Sequence, residues 1–186
     1  MRILVDQDGV LSGFDQAVHA ALSKRFPPEK VIALEQRRSF YYAGDYPEDM
    51  HDIINEILNT EGFHRSLPVI PGAIQAVKDM LAEGHEVTIC TSPLISAPNC
   101  AAEKFGWITK HLGAEWLNRT VITRDKTLVR GDILIDDKPE ITGQMKPLWQ
   151  HIIFDAPYNR QAPNPLRIRD WTEWRAIISQ VNPGKA

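Results

Sequence analysis

The sequence predicts an α/β fold in which a mostly parallel β-sheet is covered on both faces. Short, unbroken apolar runs alternate along the chain with longer segments whose apolar residues recur at helical spacing. Unbroken apolar runs are typical of parallel strands, because such strands are buried on both faces. Most of these runs end at acidic or hydroxyl residues. Strands that alternate with helices in this way favour a three-layer architecture.

Each element follows from a local pattern. The apolar runs predict strands at residues 3–5, 87–90, 121–122, 133–135 and 152–154. Apolar stripes at helical spacing predict helices over residues 14–22, 47–58, 71–84 and 98–112, and a docking helix within 171–178. Proline or glycine lies at several of these boundaries, including Pro47, Pro71 and Gly84, as expected for helix starts and stops.

The domain organisation follows from the long interval after the first strand. Residues 15–70 are polar and aromatic and carry two helical stripes, so we predict a small helical cap there. Residues 1–14 and 71–186 then form the core domain. A chain of 186 residues is long enough for one such domain without disulfide bonds. The two cysteines, Cys90 and Cys100, fit neither a metal motif nor a redox pair.

Composition excludes several classes of function. Apolar residues make up 43% of the chain and charged residues 24%, which is ordinary for a globular protein. The net charge of −3 argues against a nucleic-acid polymer as partner, since such proteins usually carry a basic face. No apolar run is long enough to span a membrane, and no signal peptide precedes the first strand. We therefore expect a cytoplasmic protein.

Two carboxylates follow the first predicted strand. Asp6 and Asp8 are two positions apart, so on extended backbone they face the same side. Such a pair is costly unless a cation or a proton relieves the repulsion, and Mg²⁺ prefers oxygen ligands of this kind. The alternative is a solvated turn. An EF-hand is disfavoured, because a strand precedes the motif and Ala17 stands where that loop needs glutamate.

Further polar residues follow other predicted strands. Asp136 and Asp137 end one strand, while Thr91 and Ser92 end another. Because the carboxyl ends of parallel strands lie at one edge of the sheet, a shared cation and phosphate site is predicted there. Lys126 would supply a fixed cation to such a site. Read one by one, these features are also compatible with plain turns and a surface lysine.

The motifs together resemble a known family. Val5–Val10, Cys90–Leu94, Thr123–Thr127 and Gly131–Lys138 resemble the motifs of the haloacid dehalogenase-like (HAD) phosphatases. With Leu34–Phe40 in the cap, the chain is similar to the 5'(3')-deoxyribonucleotidases within that superfamily. The resemblance covers roughly residues 2–175 and implies a three-layer, Rossmann-like (HAD-like) sheet with a cap inserted after the first strand.

The resemblance also implies roles for the matched residues. Asp6 would be the nucleophile and a metal ligand, and Asp8 the general acid and base, which offers its backbone carbonyl to the metal. Asp137 would be the third metal ligand, supported by Asp136. The phosphate-binding residues would be Thr91, Ser92 and Lys126. The residues lining the nucleoside would be Phe14, Phe40, Tyr41 and Tyr42.

The expected function is therefore a Mg²⁺-dependent phosphatase. The predicted substrate is a deoxyribonucleoside monophosphate, and the predicted intermediate is an aspartyl-phosphate on Asp6. Two alternatives stay open: a HAD phosphatase acting on another small phosphomonoester, and a non-catalytic phosphate-binding module. The sequence leaves open the base preference, the choice between 5' and 3' phosphates, and the oligomeric state, a homodimer included.

Overall fold

The computed structural model describes residues 1–181, in which six parallel strands form one sheet. The strands are β1 (Arg2–Val5), β2 (Glu86–Thr91), β3 (Thr120–Ile122), β4 (Ile133–Asp136), β5 (Gln150–Phe154) and β6 (Arg167–Ile168). Their spatial order is β3-β2-β1-β4-β5-β6. The first strand therefore lies between β2 and β4, and the predicted strands are confirmed. The short edge strand β6 was not predicted.

Five α-helices accompany the sheet in the described part of the chain. They are α1 (Phe14–Ser23), α2 (His51–Asn59), α3 (Ala73–Ala82), α4 (Cys100–His111) and α5 (Trp174–Ile178). Each lies within a few residues of a predicted helix. The last helix is shorter than its apolar pattern suggested, because a turn at Asp170, where the side chain accepts from the Thr172 N–H, precedes it.

The two faces of the sheet are covered differently. Ile3 and Val5 face a large core that contains residues from α3, α4 and α5, such as Trp107. Leu4 points to the opposite face, where the irregular chain around Trp149 covers it. Each of these sheet residues is at most 1% exposed. Both faces are therefore buried, which explains why the strands read as unbroken apolar runs.

A second hydrophobic cluster lies within the predicted cap. It joins α1, α2 and the intervening 3₁₀ turns, with buried residues such as Val18, Tyr42 and Ile54. Phe14 and Phe63 contact both this cluster and the core. The division into a core and a cap at residues 15–70 remains a prediction, which this separate cluster supports.

Strand register brings the polar ends of three strands together. Val5 pairs with Ile89 on β2 and with Ile135 on β4. The N–H of Asp6 donates to the carbonyl of Ile135 at 2.9 Å, which continues the ladder by one residue. The residues that follow these paired positions therefore lie side by side at the carboxyl edge of the sheet.

No helix within residues 1–181 has the length and apolarity needed to cross a membrane.

Candidate active site

A cavity of about 590 Å³ opens beyond the carboxyl ends of β1, β2 and β4. Its walls come from these strand ends, from α1 and α2, and from the 3₁₀ turns between those helices. Every residue that the sequence predicted for the site lines it: Asp6, Asp8, Phe14, Phe40, Tyr41, Tyr42, Thr91, Ser92, Lys126, Asp136 and Asp137. The structure thus gathers all the candidates into one space, and their roles remain proposals.

Asp6 is held by two donors. Its Oδ1 accepts from the N–H of Gln7 at 2.8 Å and lies 2.8 Å from Nζ of Lys126. The same ammonium lies 2.5 Å from Oδ2 of Asp136. Burial opposes the charge on Lys126, but the two carboxylates outweigh it and raise the pKa of this lysine. Lys126, which read alone looked like a surface residue, is a buried cation beside the predicted nucleophile.

Three buried carboxylates gather where β1 and β4 end. Oxygens of Asp6, Asp136 and Asp137 lie within 4.8 Å of one another. Burial raises the pKa of Asp137 well above its usual range, and the charges of Asp136 and Asp6 raise it further. Lys126 offers one positive charge against three carboxylates. The remaining negative charge and the oxygen ligands fit a divalent cation such as Mg²⁺.

Asp136 is the least available of these three carboxylates. Its Oδ2 is taken by Lys126, and its Oδ1 accepts from the N–H of Lys138 at 2.9 Å. Asp6 and Asp137 are therefore the better-placed side-chain ligands for a cation. This agrees with the family resemblance, which implies that Asp136 supports Asp137 rather than binding the metal itself.

A glycine makes this close packing of acids possible. Gly9 has φ +76°, a conformation that glycine adopts without strain. A Cβ at this position would lie 2.7 Å from the carboxyl carbon of Asp137. Position 9 must therefore be glycine if the Asp137 carboxylate is to stay where it is.

Asp8 is anchored at both of its oxygens. Ser12 donates to Oδ1 at 3.0 Å, and Nζ of Lys104 lies 2.6 Å from Oδ2. Burial would raise the pKa of Asp8, but Lys104 outweighs burial and, with His64 and Ser12, holds that pKa below its usual range. The Asp8 side chain is not among the three gathered carboxylates.

The other end of the cavity is lined by aromatic rings. Phe14 packs edge-on against Tyr42, with ring centres 6.2 Å apart, and Phe40 packs edge-on against Tyr41 at 5.0 Å. Tyr42 is buried, while Tyr41 is 64% exposed at the cavity mouth. The rings thus form a wall opposite the carboxylates, at a place where a flat apolar group can stack.

One buried arginine organises this wall. The Arg37 guanidinium lies 3.7 Å from the centre of the Tyr42 ring and donates to the carbonyls of Ser39 and Phe40. It also pairs with Asp15 and, at 3.0 Å, with Asp45. Burial opposes the charge, but these neighbours raise the pKa of Arg37. The arginine therefore fixes the backbone that carries Phe40.

Three residues that line the cavity or support its wall were not predicted from the sequence. Lys104 and Arg37 are both buried, and Tyr158 donates a hydrogen bond to Asp137. A signal for Lys104 exists, since it lies three and four residues from Trp107 and Cys100 on the apolar stripe of α4. No comparable sequence pattern marks Arg37 or Tyr158, because Arg37 lies on irregular chain and Tyr158 in a short 3₁₀ turn.

His64 is a further cavity residue that the sequence did not single out. It is 2% exposed, its ring stacks on Phe14 at 6.2 Å, and its Nδ1 lies 4.0 Å from Oδ2 of Asp8. Its Nε2 lies 3.1 Å from the carbonyl of Leu58. Burial lowers the pKa of His64. It is thus a buried histidine beside Asp8, whose charge opposes this lowering.

Solved structures with the same fold share little sequence with this chain. A HAD family hydrolase from Deinococcus radiodurans, solved with bound phosphate and sodium, matches with a TM-score of 0.57 at 15% identity, covering 97% of this chain and 95% of that one. A haloacid dehalogenase-like protein from Agrobacterium tumefaciens matches with a TM-score of 0.59 at 14% identity, covering 95% and 96%. These similarities confirm the predicted HAD-like fold.

Sequence relatives are much nearer. The human cytosolic-type 5'(3')-deoxyribonucleotidase is 40% identical over 187 residues, which cover 96% of this chain and 93% of that protein. A candidate 5'(3')-deoxyribonucleotidase of Bordetella pertussis is 47% identical over 179 residues, 96% of each chain. The family described as "5' nucleotidase, deoxy (Pyrimidine), cytosolic type C protein" matches residues 1–182. The chain belongs to this 5'-nucleotidase family.

Membership confirms the resemblance that the motifs indicated, and with it the prediction of a phosphatase of the 5'-nucleotidase type. The family match spans both the core motifs and the cap interval, so it includes the residues of the aromatic wall and those of the acidic cluster. The substrate and the mechanism in this chain rest on the geometry described above.

Proposed function

We propose that this 5'-nucleotidase family member is a Mg²⁺-dependent phosphatase of deoxyribonucleoside monophosphates, which acts through an aspartyl-phosphate on Asp6. The observation that carries the proposal is the two-ended cavity. Acidic and basic groups for a phosphate lie at the strand ends, and aromatic rings for a base lie opposite. The names of the relatives, which are 5'(3')-deoxyribonucleotidases, support the same substrate class.

The first half-reaction transfers the phosphoryl group. Asp6 attacks phosphorus with Oδ2, the oxygen that neither Gln7 nor Lys126 holds. The negative charge of the bound phosphate opposes Lys104 and raises the pKa of Asp8, so that Asp8 takes up a proton. The bond from phosphorus to the nucleoside oxygen breaks, and Asp8 gives this proton to the leaving oxygen. Lys126 and the Thr91 hydroxyl stay beside the transferred group and stabilise its charge.

The second half-reaction returns the enzyme to its starting state. Asp8, now a carboxylate, takes a proton from a water molecule as that water attacks phosphorus. The bond from phosphorus to Asp6 breaks, which releases inorganic phosphate and the free carboxylate. Asp8 thus serves first as acid and then as base, a double use that requires it to stay fixed in place.

The acidic cluster would hold the cation. The side chains of Asp6 and Asp137, with the backbone carbonyl of Asp8, are the ligands we assign to Mg²⁺. A bound Mg²⁺ would supply positive charge that offsets the repulsion between the Asp6 carboxylate and the phosphate. Asp136 supports the site by holding Lys126 at 2.5 Å.

The aromatic end would select the nucleoside. Bases stack on rings such as Phe14 and Phe40, and a sugar phosphate without a base gains nothing there. A 2'-hydroxyl placed against an apolar wall would lose its hydrogen bonds to water, at a cost of about 1–3 kcal/mol. We therefore expect deoxyribonucleotides to be preferred by roughly tenfold to more than a hundredfold. A cytoplasmic location, in line with the cytosolic-type relative, is part of the proposal, and the homodimer stays a prediction.

The experiment is a substrate panel with and without metal. We would measure kcat/KM for dUMP, dTMP, UMP and a sugar phosphate, in Mg²⁺ and in EDTA. The expected order is deoxyribonucleotide, ribonucleotide, sugar phosphate, with activity lost in EDTA. Equal values for dUMP and UMP would remove the deoxy preference, and a faster sugar phosphate would remove the nucleotide assignment. Failure on every phosphomonoester would favour a non-catalytic phosphate-binding module.

A further inference from the structure

Lys104 is a buried lysine that the reaction described above leaves without a role. It lies on α4, is 1% exposed, and shares the buried face of that helix with Cys100 and Trp107. Lysine is almost never fully buried unless its charge is paired. Its ammonium reaches two groups of the cavity, Asp8 and Thr91. The position of this buried charge, beside two residues of the proposed site, indicates a function for Lys104.

The contact with Thr91 sets the direction of a hydroxyl. Nζ of Lys104 lies 2.9 Å from Oγ1 of Thr91. An ammonium can only donate, so the threonine oxygen accepts this bond and its own hydrogen must point elsewhere. Within residues 1–181 that hydrogen has no protein acceptor, and Thr91 lines the cavity. The hydroxyl is thus left as a donor toward the space assigned to the phosphate.

The contact with Asp8 fixes a carboxylate. Nζ of Lys104 lies 2.6 Å from Oδ2, while Ser12 holds Oδ1 at 3.0 Å. Ser12 belongs to the same loop as Asp8, and the backbone of that loop is bonded to residues 68–70. Lys104 comes from another element, 96 residues away along the chain. The lysine is therefore the hydrogen-bond partner that holds the Asp8 carboxylate from outside this loop.

The neighbouring residue on α4 explains why the lysine is well placed. Glu103 is 2% exposed and accepts from the N–H groups of Gly62 at 2.6 Å and His64 at 3.0 Å. These bonds hold α4 against the segment that leads from α2 back to the core. Because Glu103 is fixed, the position of the next residue, Lys104, is fixed as well.

We propose that Lys104 is a positioning residue for phosphoryl transfer, which holds Asp8 in line with the leaving oxygen and directs the Thr91 hydroxyl toward the phosphate. The proposal rests on the function assigned above. It differs from the role of Lys126, which lies beside Asp6 and faces the transferred group. Lys104 acts through two other side chains and need not touch the substrate.

The test compares two kinds of leaving group. In the Lys104→Met variant, Asp8 is no longer held in place. The nucleoside that leaves dUMP is an alkoxide and must be protonated, so kcat on dUMP should fall about 10²-fold. p-Nitrophenyl phosphate releases a stable phenolate that needs no proton, so its kcat should fall by about tenfold or less, through Thr91 alone. Lys110→Met, an exposed change on the same helix, is the matched control and should leave both rates unchanged.

A purely structural lysine would give another pattern. Equal losses on the two substrates, or no loss on either, would overturn the proposal. Lys104→Arg keeps the charge and should recover part of the dUMP rate, which also covers the case in which Lys104→Met does not fold. Melting temperatures of all variants would separate misfolding from misplacement.

A double-mutant cycle separates this inference from the proposed function. Asp8→Asn should itself lose activity on dUMP, and adding Lys104→Met should then cost only the further loss of about tenfold or less that acts through Thr91. Losses that multiply would contradict action through Asp8. If the wild type hydrolyses p-nitrophenyl phosphate but not dUMP, the nucleotide assignment fails. In that case, the effect of Lys104→Met is compared between p-nitrophenyl phosphate and glycerol phosphate, which is also an alkyl ester.

Discussion

The two ends of the cavity are built in different ways. At the phosphate end, the side chains follow β1, β2 and β4, whose register is fixed by paired backbone hydrogen bonds. At the aromatic end, the rings of Phe40, Tyr41 and Tyr42 lie on irregular chain between α1 and α2. That chain depends on one buried arginine, Arg37, for much of its order.

The difference separates chemistry from selection. The end of β1 and the 3₁₀ turn that begins at Lys126 hold Asp6 and Lys126 at hydrogen-bond distance, as a charge-stabilising site requires. In the proposed reaction the aromatic wall would contact groups that do not react, so small displacements there should alter binding more than the chemical step. Changes at the phosphate end should therefore lower kcat on every substrate, and changes at the aromatic end should raise KM for nucleotides.

The largest effect is expected for Asp6→Asn. The amide is nearly isosteric but cannot form the aspartyl-phosphate, so kcat should fall on the order of 10⁴-fold or more on both dUMP and p-nitrophenyl phosphate. The fold should survive, as a melting curve would show. Asp49→Asn, at an exposed site, is the matched control. Activity within tenfold of the wild type would remove Asp6 as nucleophile.

Lys126→Ala should give the next largest effect, again on every substrate. Loss of one fixed donor to developing charge typically costs about 10²–10³ in rate. The structure adds a second consequence, since removing a buried cation between Asp6 and Asp136 leaves two carboxylates in repulsion. We expect about 3–5 kcal/mol of lost stability in EDTA, measured by urea unfolding. Lys78→Ala, an exposed change, should alter neither quantity.

Arg37→Met tests the aromatic end through its organising residue. Without the guanidinium, Asp15 and Asp45 lose their partner and the backbone of Phe40 loses its anchor. We expect about 3 kcal/mol of lost stability and a KM for dUMP raised roughly tenfold, with kcat on p-nitrophenyl phosphate within about threefold. Arg38→Met, the exposed neighbour, is the control. Equal losses on both substrates would erase the contrast between the two ends.

Phe40→Leu should give the smallest effect and the most selective one. Loss of the ring removes about 0.5–1.5 kcal/mol of aromatic contact with a base, so KM for dUMP should rise about two- to tenfold. Glycerol phosphate, which has no base, should be unaffected. Phe105→Leu, on the outer side of α4, serves as the control. A matching rise for glycerol phosphate would show that Phe40 only supports the cap.

The two ends also differed in how much of each could be predicted from the sequence. Asp6, Thr91 and Asp136 were placed correctly at one edge, because each follows or ends an apolar strand and parallel strands end together. The roles of the aromatic residues came from resemblance alone. No periodic pattern describes the irregular chain that carries Phe40, so its contacts could not be derived.

The buried lysines and arginine show most directly what could not be predicted from the sequence. Lys126 was assigned to the site because a phosphate needs a fixed cation, but nothing in the sequence shows that this lysine is buried between two acids. Lys104 was passed over, since a lysine in a helix is ordinarily solvated and the apolar stripe around it says nothing of what its ammonium meets. The same holds for Arg37, whose four partners lie in two different segments.

By itself, the sequence determined the strands, the helices and the acids at the strand ends, because local periodicity and turn chemistry fix these without knowledge of distant residues. Tertiary structure decided which charges are buried and what each one holds. Lys104 meets Asp8 across 96 residues, and Tyr158 meets Asp137 across 21. Such contacts depend on how α4 and the irregular segments pack against the sheet, and that packing is set by the whole core rather than by any local pattern.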